Sequence, residues 1–547
     1  MNKSRKIGIF ITMIIMMVSG IIGFNSLNPS KPNYTDNSKV NVTKQKEHIS
    51  NIAKEPHSVF DVEAKKEVRD YLISELEELG LKPEIYGYKD IYEKRSNSNV
   101  DLENIYAEIK GKSDSYIMLV THYDSSHAKK ERYAEKDGSL GAADAGYALS
   151  TILETLRVIK ESDVPLENGI KILLTDGEEY GLLGAKEAVK ENKILEGVNY
   201  VVNIEARGTK GPAVMFETSP NNTPVIDLYE SSEKPFSYSI TPEIYRLLPN
   251  ATDFTVFLEN NLTGINISVL DGLENYHTPN DKPENLDDRT MQHYGDQVLP
   301  IVKEFVSNEK YSSSDAFDGK DDLIFFSLGN KFIKYSKLAN IGFLAIILIG
   351  IVFIAKKFKL KSAKKVAKYV GINTGFIVIT MGIGYGISRL LAVLNGREFK
   401  LTYLPLIKFE NIIFISVMVL LFTSYLLLIR KCTNNLEESN EFIIGSLLLL
   451  LILSIIFTVA LPGASYLTVY PALIITLSII IKILLNKFEK ISYIMLLPIV
   501  SIIILYVPTI YLFNCALTIG ALCANIFFAM IAFIPIVIGL VNIEDLR

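Results

Sequence analysis

The chain has 547 residues, of which 49% are hydrophobic, and its formal net charge is −5. This length predicts roughly two to four domains, and the mildly acidic balance gives no reason to expect a nucleic-acid partner. Hydrophobic residues are concentrated after about residue 338, which indicates a polar part and an apolar part joined in one chain. All three cysteines lie in the apolar part. The polar part therefore has neither a disulfide framework nor a thiolate metal site.

An apolar segment at residues 6–24 follows Lys3 and Arg5 near the start of the chain. Because about 20 apolar residues suffice to cross the hydrocarbon core of a bilayer, we predict an uncleaved membrane anchor over residues 1–24. A cleaved signal peptide is the alternative, but no small-x-small cleavage site ends the segment. Residues 25–45 are polar and are interpreted as a linker.

The polar part begins with a predicted amphipathic helix and continues with short apolar runs. Residues 61–80 carry valine and leucine at intervals of three to four, and Asp61 and Gly80 are the expected caps. Four runs are predicted strands: YIMLV (116–120), IKILL (170–174), YVVNI (200–204) and AVMF (213–216). Helical patterns separate the first three runs. This alternation predicts an α/β fold, a three-layer αβα domain with a mostly parallel (mixed) sheet.

Acidic and imidazole side chains follow the predicted strands or begin the next helix. Each alone has an ordinary explanation, such as a helix cap for an aspartate or a solvated turn for two adjacent glutamates. Their combination favours a site, because ligands bind beyond the carboxyl ends of parallel strands. The candidate residues are His122 and Asp124 in HYD, Asp144 in GAAD, Glu178 and Glu179 in DGEE, Glu205 in NIEA, and His277 in YHTPND.

These residue types suit a paired metal site. Zinc accepts histidine nitrogen and carboxylate oxygen, and catalytic zinc sites keep a position open for water. Two metals about 3.5–4 Å apart need a bridging ligand, and the two oxygens of Asp144 suit that position. Residues two apart in a strand point the same way, so Asp124 can reach back to the ring of His122 and fix its orientation.

The five motifs, in this order, resemble the di-zinc aminopeptidase-type metallopeptidase family. Its membrane-bound branch, with the endoplasmic-reticulum metallopeptidase and the vacuolar membrane protease, is most similar in layout. Those members also have a metallopeptidase domain between an N-terminal span and a multispan region. The stretch LPNATDFTVF is similar to the segment they carry before the final histidine. The resemblance covers residues 45–307, and the apolar part only in general layout.

The resemblance implies a role for each candidate residue and Zn²⁺ as the cofactor, with two ions per catalytic domain. Glu178 is expected to act as the general base that takes a proton from the attacking water and passes it to the leaving amine. Asp124 is expected to orient a zinc-bound histidine. The implied zinc ligands are His122 and Glu205 for one ion, Glu179 and His277 for the other, and Asp144 as the bridge.

One stretch departs from the family pattern. Residues 125–140, SSHAKKERYAEKDGSL, form a longer link between His122 and Asp144 than the family usually has. The stretch is charged and is interpreted as a surface excursion. The alternative is that it restricts substrate entry.

The apolar part contains seven further predicted spans. With the N-terminus inside, the main basic clusters, which follow the first, third and fifth of these spans, fall on the cytoplasmic side, as the positive-inside rule expects; a loop with three basic residues between 397 and 408 is an exception. Few charges lie within the spans: Arg389 is in one span and Lys482 is near the end of another. This favours an anchor or interaction module over a transporter. The predicted spans are residues 339–355, 369–393, 411–429, 442–461, 466–486, 491–511 and 516–541.

The sequence therefore predicts a membrane-anchored, zinc-dependent exopeptidase of aminopeptidase type that acts on peptides outside the cytoplasm. Expected partners are a peptide substrate and the lipid bilayer, without nucleic acid. The expected compartment is the cell membrane in a bacterium, or the vacuole or endoplasmic reticulum in a eukaryote. Alternatives are an inactive receptor or binding module on the same fold and a glutaminyl-cyclase-like acyl transferase. The predicted domains are an anchor (1–24), a linker (25–45), a zinc metallopeptidase domain (46–310), a second linker (311–338) and an all-α multispan transmembrane domain (339–547).

Overall fold

The computed structural model describes residues 3–28, 30–94, 97–127, 138–360, 362–401, 407–488 and 490–543. The chain forms two compact units. The polar unit is Asn28–Leu323, and the apolar unit combines Met1–Leu27 with Ile324–Arg547. Most of the predicted surface excursion at 125–140 lies outside the described residues.

One seven-stranded sheet organises the described residues of the polar unit. Its strands are β1 (Glu84–Glu93), β2 (Ser98–Ile109), β3 (Tyr116–His122), β4 (Gly169–Thr175), β5 (Val198–Ala206), β6 (Lys210–Thr218) and β7 (Gly264–Asp271). Their order in the sheet is β1-β2-β4-β3-β5-β7-β6. Strands β4, β3, β5 and β7 run parallel, whereas β1, β2 and β6 pair antiparallel with their neighbours. The predicted α/β fold with a mixed sheet is thereby confirmed.

Burial of the central strands explains why their sequences are mostly apolar. Lys171 in β4 and Asn203 in β5 are buried exceptions whose side chains are hydrogen-bonded. Every residue of β4 is buried. In β3 every residue except the first is buried, and in β5 the last seven residues are buried. A strand that is covered on both faces has no solvent side on which polar residues would alternate. In β3, Met118 and Val120 pack in one core cluster with Leu182 and Phe254 on one face. The residues between them point to the opposite face.

Helices cover both faces of the sheet. The helices of the polar unit are α2 (Val42–Ile52), α3 (Val62–Glu78), α4 (Gly146–Glu161), α5 (Leu183–Ala188), α6 (Asn192–Leu195), α7 (Thr223–Tyr229), α8 (Ile240–Tyr245), α9 (Asp253–Glu259) and α10 (Asp288–Ser307). Helices α2, α4 and α10 pack together, whereas α5 and α9 pack against each other and against β2, β3 and β5. The predicted helix after Asp61 is α3, but the Asp61 carboxylate accepts from Ser58 instead of capping it. Gly80 ends this helix with a φ of 73°, as expected of a glycine cap.

The apolar unit contains the helices that suit membrane spans by length and composition. Among the described residues there are 8 such helices, in agreement with the anchor and the seven predicted spans. A short hairpin of β8 (Leu323–Leu328) and β9 (Lys331–Ser336) precedes the second of them. The eight helices are α1 (Lys3–Asn25), α11 (Lys337–Phe358), α12 (Ala363–Leu394), α13 (Glu410–Cys432), α14 (Leu436–Ala460), α15 (Tyr466–Leu484), α16 (Leu496–Leu517) and α17 (Leu522–Asn542).

The break between the last two spans lies later than the sequence predicts, whereas the first of the two begins at Ile491 as predicted. The chain breaks at Thr518, which has a φ of 56°, and not at residues 512–515. The Glu410 carboxylate accepts from the backbone N–H of Ile519 at 2.7 Å, which satisfies a donor at the start of the next helical turn. Local hydropathy does not reveal this break because its support comes from a residue about a hundred positions away.

Candidate metal centre

Three parallel strands bring the predicted ligands to one edge of the sheet. His122 is the last residue of β3 and pairs with Thr175 at the end of β4. The DGEE turn follows β4 directly, and Glu205 lies one residue before the end of β5. Because parallel strands all end at the same edge, residues far apart in sequence meet there.

The first group of candidate ligands consists of His122, Asp144 and Glu205. The His122 Nε2 atom lies 3.3 Å from Asp144 Oδ1 and 3.6 Å from Glu205 Oε2. All three side chains are buried, and one donor atom from each lies within 4.8 Å of the others. These spacings suit three ligands around one ion.

The second group consists of Asp144, Glu179 and His277. The His277 Nε2 atom lies 3.2 Å from Asp144 Oδ2 and 2.9 Å from Glu179 Oε1. Glu179 and His277 are half-buried as whole residues, but their side chains are only 6% and 14% exposed, so this group is slightly more open than the first on the side of His277. Asp144 contributes Oδ1 to the first group and Oδ2 to the second, which is the arrangement that a bridging carboxylate requires.

The Asp124 carboxylate anchors the DGEE turn. Its Oδ1 atom accepts from the backbone N–H groups of Gly177 and Glu178 at 2.9 and 3.1 Å, and its Oδ2 atom accepts from that of Glu179 at 3.3 Å. Gly177 has a φ of 77°, which glycine adopts without strain. These three bonds fix the backbone that carries both glutamates.

The ring of His122 is oriented differently from the sequence expectation. Its Nδ1 atom donates to the main-chain carbonyl of Asp124 at 2.8 Å, whereas the Asp124 carboxylate lies 3.6 Å away. Asp124 therefore orients the histidine mainly through its backbone, since its carboxylate is engaged by the turn. A carbonyl can only accept, so Nδ1 carries a proton, and Nε2 is the ring atom that faces the first group.

Asp281 supports the bridging residue and was not singled out from the sequence. Its carboxylate accepts from the backbone N–H groups of Ala143 at 2.7 Å and Asp144 at 3.3 Å, and from the Ser139 hydroxyl at 3.1 Å. Burial raises the pKa of Asp281 to about 7. The signal was available, because Asp281 is the final residue of the motif YHTPND that also contains His277.

A buried ion pair fixes the other side of the DGEE turn. Lys65 Nζ lies 2.6 Å from Asp176 Oδ2, and the same oxygen accepts from the backbone N–H of Glu103 at 2.9 Å. Burial raises the pKa of Asp176 to about 6, although Lys65 opposes this shift. The pair ties α3 and β2 to the start of the turn.

The electrostatics of the centre favour positive charge between the carboxylates. Burial raises the pKa of Glu205 to about 8 and, together with the charge of Glu205, raises that of Glu178 well above its ordinary value. Burial opposes protonation of His277, but the charge of Glu179 and the contact with Asp144 raise its pKa to about 9. A cation placed among these carboxylates would stabilise their ionised forms.

The donor set fits zinc. Each group combines one imidazole nitrogen with two carboxylates, a mixture that zinc accepts. The Nε2 atom of His122, which faces Asp144 and Glu205, and the two separated oxygens of Asp144 are placed for ligation.

The polar unit matches a known family model. Residues 104–302 match the model described as Peptidase family M28. The chain contains an M28 peptidase domain. The matched region includes His122, Asp144, the DGEE turn, Glu205 and His277.

Relatives of the M28 domain include membrane-bound proteases. Endoplasmic reticulum metallopeptidase 1 of Mus musculus is 25% identical over 276 residues, which is 50% of this chain and 29% of that protein. Vacuolar membrane protease of Candida dubliniensis is 25% identical over 381 residues, or 65% of this chain and 38% of that protein. The predicted family resemblance is confirmed. The chain spans less than two fifths of the length of these relatives.

Solved structures of similar fold include a Zn-dependent exopeptidase from Parabacteroides distasonis. It covers 50% of this chain and 99% of its own, with a TM-score of 0.39 and 20% identity. Together with the apolar helices, the relatives fit a multi-pass membrane protein of the metallopeptidase class. The ligand assignments, the number of ions and the membrane orientation stay predictions.

Proposed function

We propose that the chain is a membrane-anchored, zinc-dependent exopeptidase of aminopeptidase type that hydrolyses peptides outside the cytoplasm. The observation that carries this proposal is the pair of ligand groups that share Asp144 through different oxygens. Glu178 lies in the same turn as Glu179, one residue before it. The Asp124 carboxylate thus binds the backbone of both the proposed catalytic base, Glu178, and the proposed metal ligand, Glu179.

His122 and Glu205 would hold one zinc ion, Glu179 and His277 the other, and Asp144 both. When bound, the ions would polarise the scissile carbonyl and acidify the attacking water. Glu178 would accept the proton of that water and deliver it to the nitrogen of the leaving group. Both transfers need a carboxylate that is held in place, and the bonds of Asp124 to the turn supply that restraint.

The aminopeptidase assignment rests on the motif resemblance and on the negative charge of the carboxylates at the centre. Glu178 is half-buried, and Glu179 lies beside His277, whose side chain is 14% exposed. A free α-amino group is cationic near neutral pH and is attracted to such carboxylates. An internal peptide bond offers no such charge, so the centre favours cleavage next to an N-terminus.

The location outside the cytoplasm rests on the basic residues of the apolar part. The exposed residues Lys356 and Lys357 lie in the last turn of α11, and Lys359 follows it. Arg430 and Lys431 lie in the last turn of α13. With these clusters on the cytoplasmic side, the M28 domain lies on the opposite side. The lipid bilayer is then the partner of the eight helices and a peptide that of the domain. The membrane would be the cell membrane in a bacterium, or that of the vacuole or endoplasmic reticulum in a eukaryote.

The decisive experiment is Glu178→Gln in the full chain purified in detergent. We expect hydrolysis of aminoacyl reporters to fall by about 10²–10⁴-fold, the range for loss of a general base, while the zinc content stays at two ions. Glu187→Gln is the matched control, since Glu187 is a half-buried glutamate of α5 paired with Lys190. Full activity of Glu178→Gln would contradict the proposal.

The two alternatives predict different results in the same preparation. A receptor or binding module would contain no zinc and would not hydrolyse any reporter. A glutaminyl-cyclase-like transferase would hold one zinc ion and form pyroglutamate from an N-terminal glutamine. The two ligand groups favour two ions and hence the peptidase.

A further inference from the structure

Three polar side chains lie buried side by side on adjacent strands next to the metal centre. Asn203 of β5 pairs in register with Asn266 of β7, which pairs with Glu217 of β6. Both asparagines are 0% exposed and Glu217 is 4% exposed. A buried polar group is costly unless it is hydrogen-bonded, so this row needs a reason beyond the packing of the sheet.

The row forms a continuous chain of hydrogen bonds that ends at a candidate ligand. Asn266 Nδ2 donates to Glu217 Oε2 at 3.1 Å. Asn203 Nδ2 donates to Asn266 Oδ1 at 3.0 Å and to Glu205 Oε1 at 2.9 Å. Glu217 is thereby connected to Glu205 through two amides.

The donor and acceptor groups available fix the direction of every hydrogen bond in this row. An ionised carboxylate can only accept, so Asn266 must turn its NH₂ group towards Glu217. The same nitrogen donates to the Thr252 hydroxyl oxygen at 2.8 Å. The Asn266 carbonyl oxygen then faces Asn203, which must present its own NH₂ group to Asn266 and Glu205. An amide turned the other way would place an oxygen against the carboxylate of Glu205.

The last hydrogen bond of this row, from Asn203 to Glu205, decides which oxygen of Glu205 is available. Oε1 is held by the Asn203 amide, whereas Oε2 is the atom 3.6 Å from His122 Nε2. Glu205 is therefore presented to the first group through a single oxygen in a fixed orientation. Groups that orient a ligating carboxylate contribute substantially to metal affinity.

We infer that Glu217 is a positioning residue that orients the zinc ligand Glu205 through Asn266 and Asn203. This inference rests on the proposed zinc site and deepens it. The negative charge of Glu217 fixes the orientation of two amides and thereby the donor that holds Glu205. If these residues only stabilised the sheet, the hydrogen bonds among them would be needed, but which partner donates and which accepts would not matter.

The test uses the full chain in detergent at pH 8, because burial raises the pKa of Glu217 to about 7 and it must be ionised. Glu217→Gln keeps the shape but can donate or accept, so it no longer fixes the amides. We expect the affinity for one of the two zinc ions, measured by chelator competition, to fall by about 10-fold or more. The visible spectrum of the cobalt-loaded variant should change, while the unfolding midpoint of the metal-free protein stays unchanged.

A rescue variant tests the direction itself. In Glu217→Gln/Asn266→Asp the new glutamine donates to the new aspartate. That aspartate can only accept, so Asn203 again presents its NH₂ group to Glu205. We expect zinc affinity and the cobalt spectrum to return towards wild type. The matched control is Asp296→Asn on α10, a half-buried carboxylate that accepts from Gln292 at 2.7 Å away from the centre.

Distinct outcomes separate the inference from the proposed function. Zinc affinity of Glu217→Gln equal to wild type, or no recovery in the double variant, would overturn the inference alone. Equal loss of both ions with a lower midpoint of the metal-free protein would indicate a structural role and also overturn it. A wild-type chain that binds no zinc would overturn the proposed function together with the inference.

Discussion

The two ligand groups of the centre share Asp144 but are built on different kinds of structure. In the first group, His122 ends β3 and Glu205 lies within β5, and all ligands are buried. In the second group, Glu179 lies in a turn and His277 lies in a loop with a φ of 56°, and both are half-buried. Sites on strands are held more rigidly than sites on loops. The comparison predicts a tightly held first ion and a more exchangeable second ion next to the substrate.

The hydrogen bonds behind the two groups differ in the same way. Asn203 holds Glu205 from within the sheet, where the chain of bonds continues across two more strands. Glu179 is fixed through its backbone by the carboxylate of Asp124, and its side chain contacts His277. The first group is therefore preorganised by the sheet, whereas the second is held by a turn and a loop.

The largest expected effect comes from the residue that the groups share. Asp144→Asn leaves one carbonyl oxygen in place of two carboxylate oxygens, so it cannot serve both groups. We expect both ions to be lost and kcat/KM to fall by at least about 10³-fold, more than the roughly 10–100-fold typical of residues behind the ligands. Zinc content and reporter hydrolysis measure this, with Asp296→Asn as the control. Retention of two ions would show that the two groups do not both depend on Asp144.

A smaller effect is expected from Asp124→Asn, which should weaken the second group and leave the first intact. The substitution keeps the main-chain carbonyl that accepts from His122 but places an NH₂ group against the amides of the DGEE turn. We expect the first ion to stay bound, and the affinity for the second ion and the turnover to fall by about 10–100-fold. Chelator competition resolves the two ions. Loss of the first ion in preference to the second would show that the carboxylate acts mainly on His122.

The contrast also explains what the sequence could predict. Strands β3, β4 and β5 are buried on both faces and appear as mostly apolar runs, so their ends and the ligands there could be located. The motifs containing Asp144 and His277 could be recognised because ligation restricts the residue type. These features depend on information that is local in sequence.

The features that sequence reasoning missed depend on distant partners. Strand β7 carries Asn266 and Ser268, which interrupt its apolar pattern, and the asparagine is acceptable there because it hydrogen-bonds with Asn203, Glu217 and Thr252. Whether Asp124 uses its carbonyl or its carboxylate towards His122 depends on the fold of the DGEE turn, 53 to 55 residues away. Neither pairing has a local sequence signature.

The smallest expected effect needs no substitution and tests the comparison in the wild-type chain. If the first group is closed and rigid and the second is open, excess chelator should remove the two ions in separate phases. We expect one ion to leave about 10-fold faster than the other, because half-buried ligands on a turn and a loop separate more readily than buried ligands on strands. Zinc release is followed with a chromogenic chelator, and hydrolysis is sampled in parallel.

The identity of each phase follows from the two variants that act on one group each. Asp124→Asn should accelerate only the fast phase, because it loosens the turn that carries Glu179. Glu217→Gln should accelerate only the slow phase, because it releases the amide that holds Glu205. A single phase in the wild type, or acceleration of the same phase by both variants, would mean that Asp144 couples the groups into one unit. The difference in burial and support would then have no consequence for metal retention.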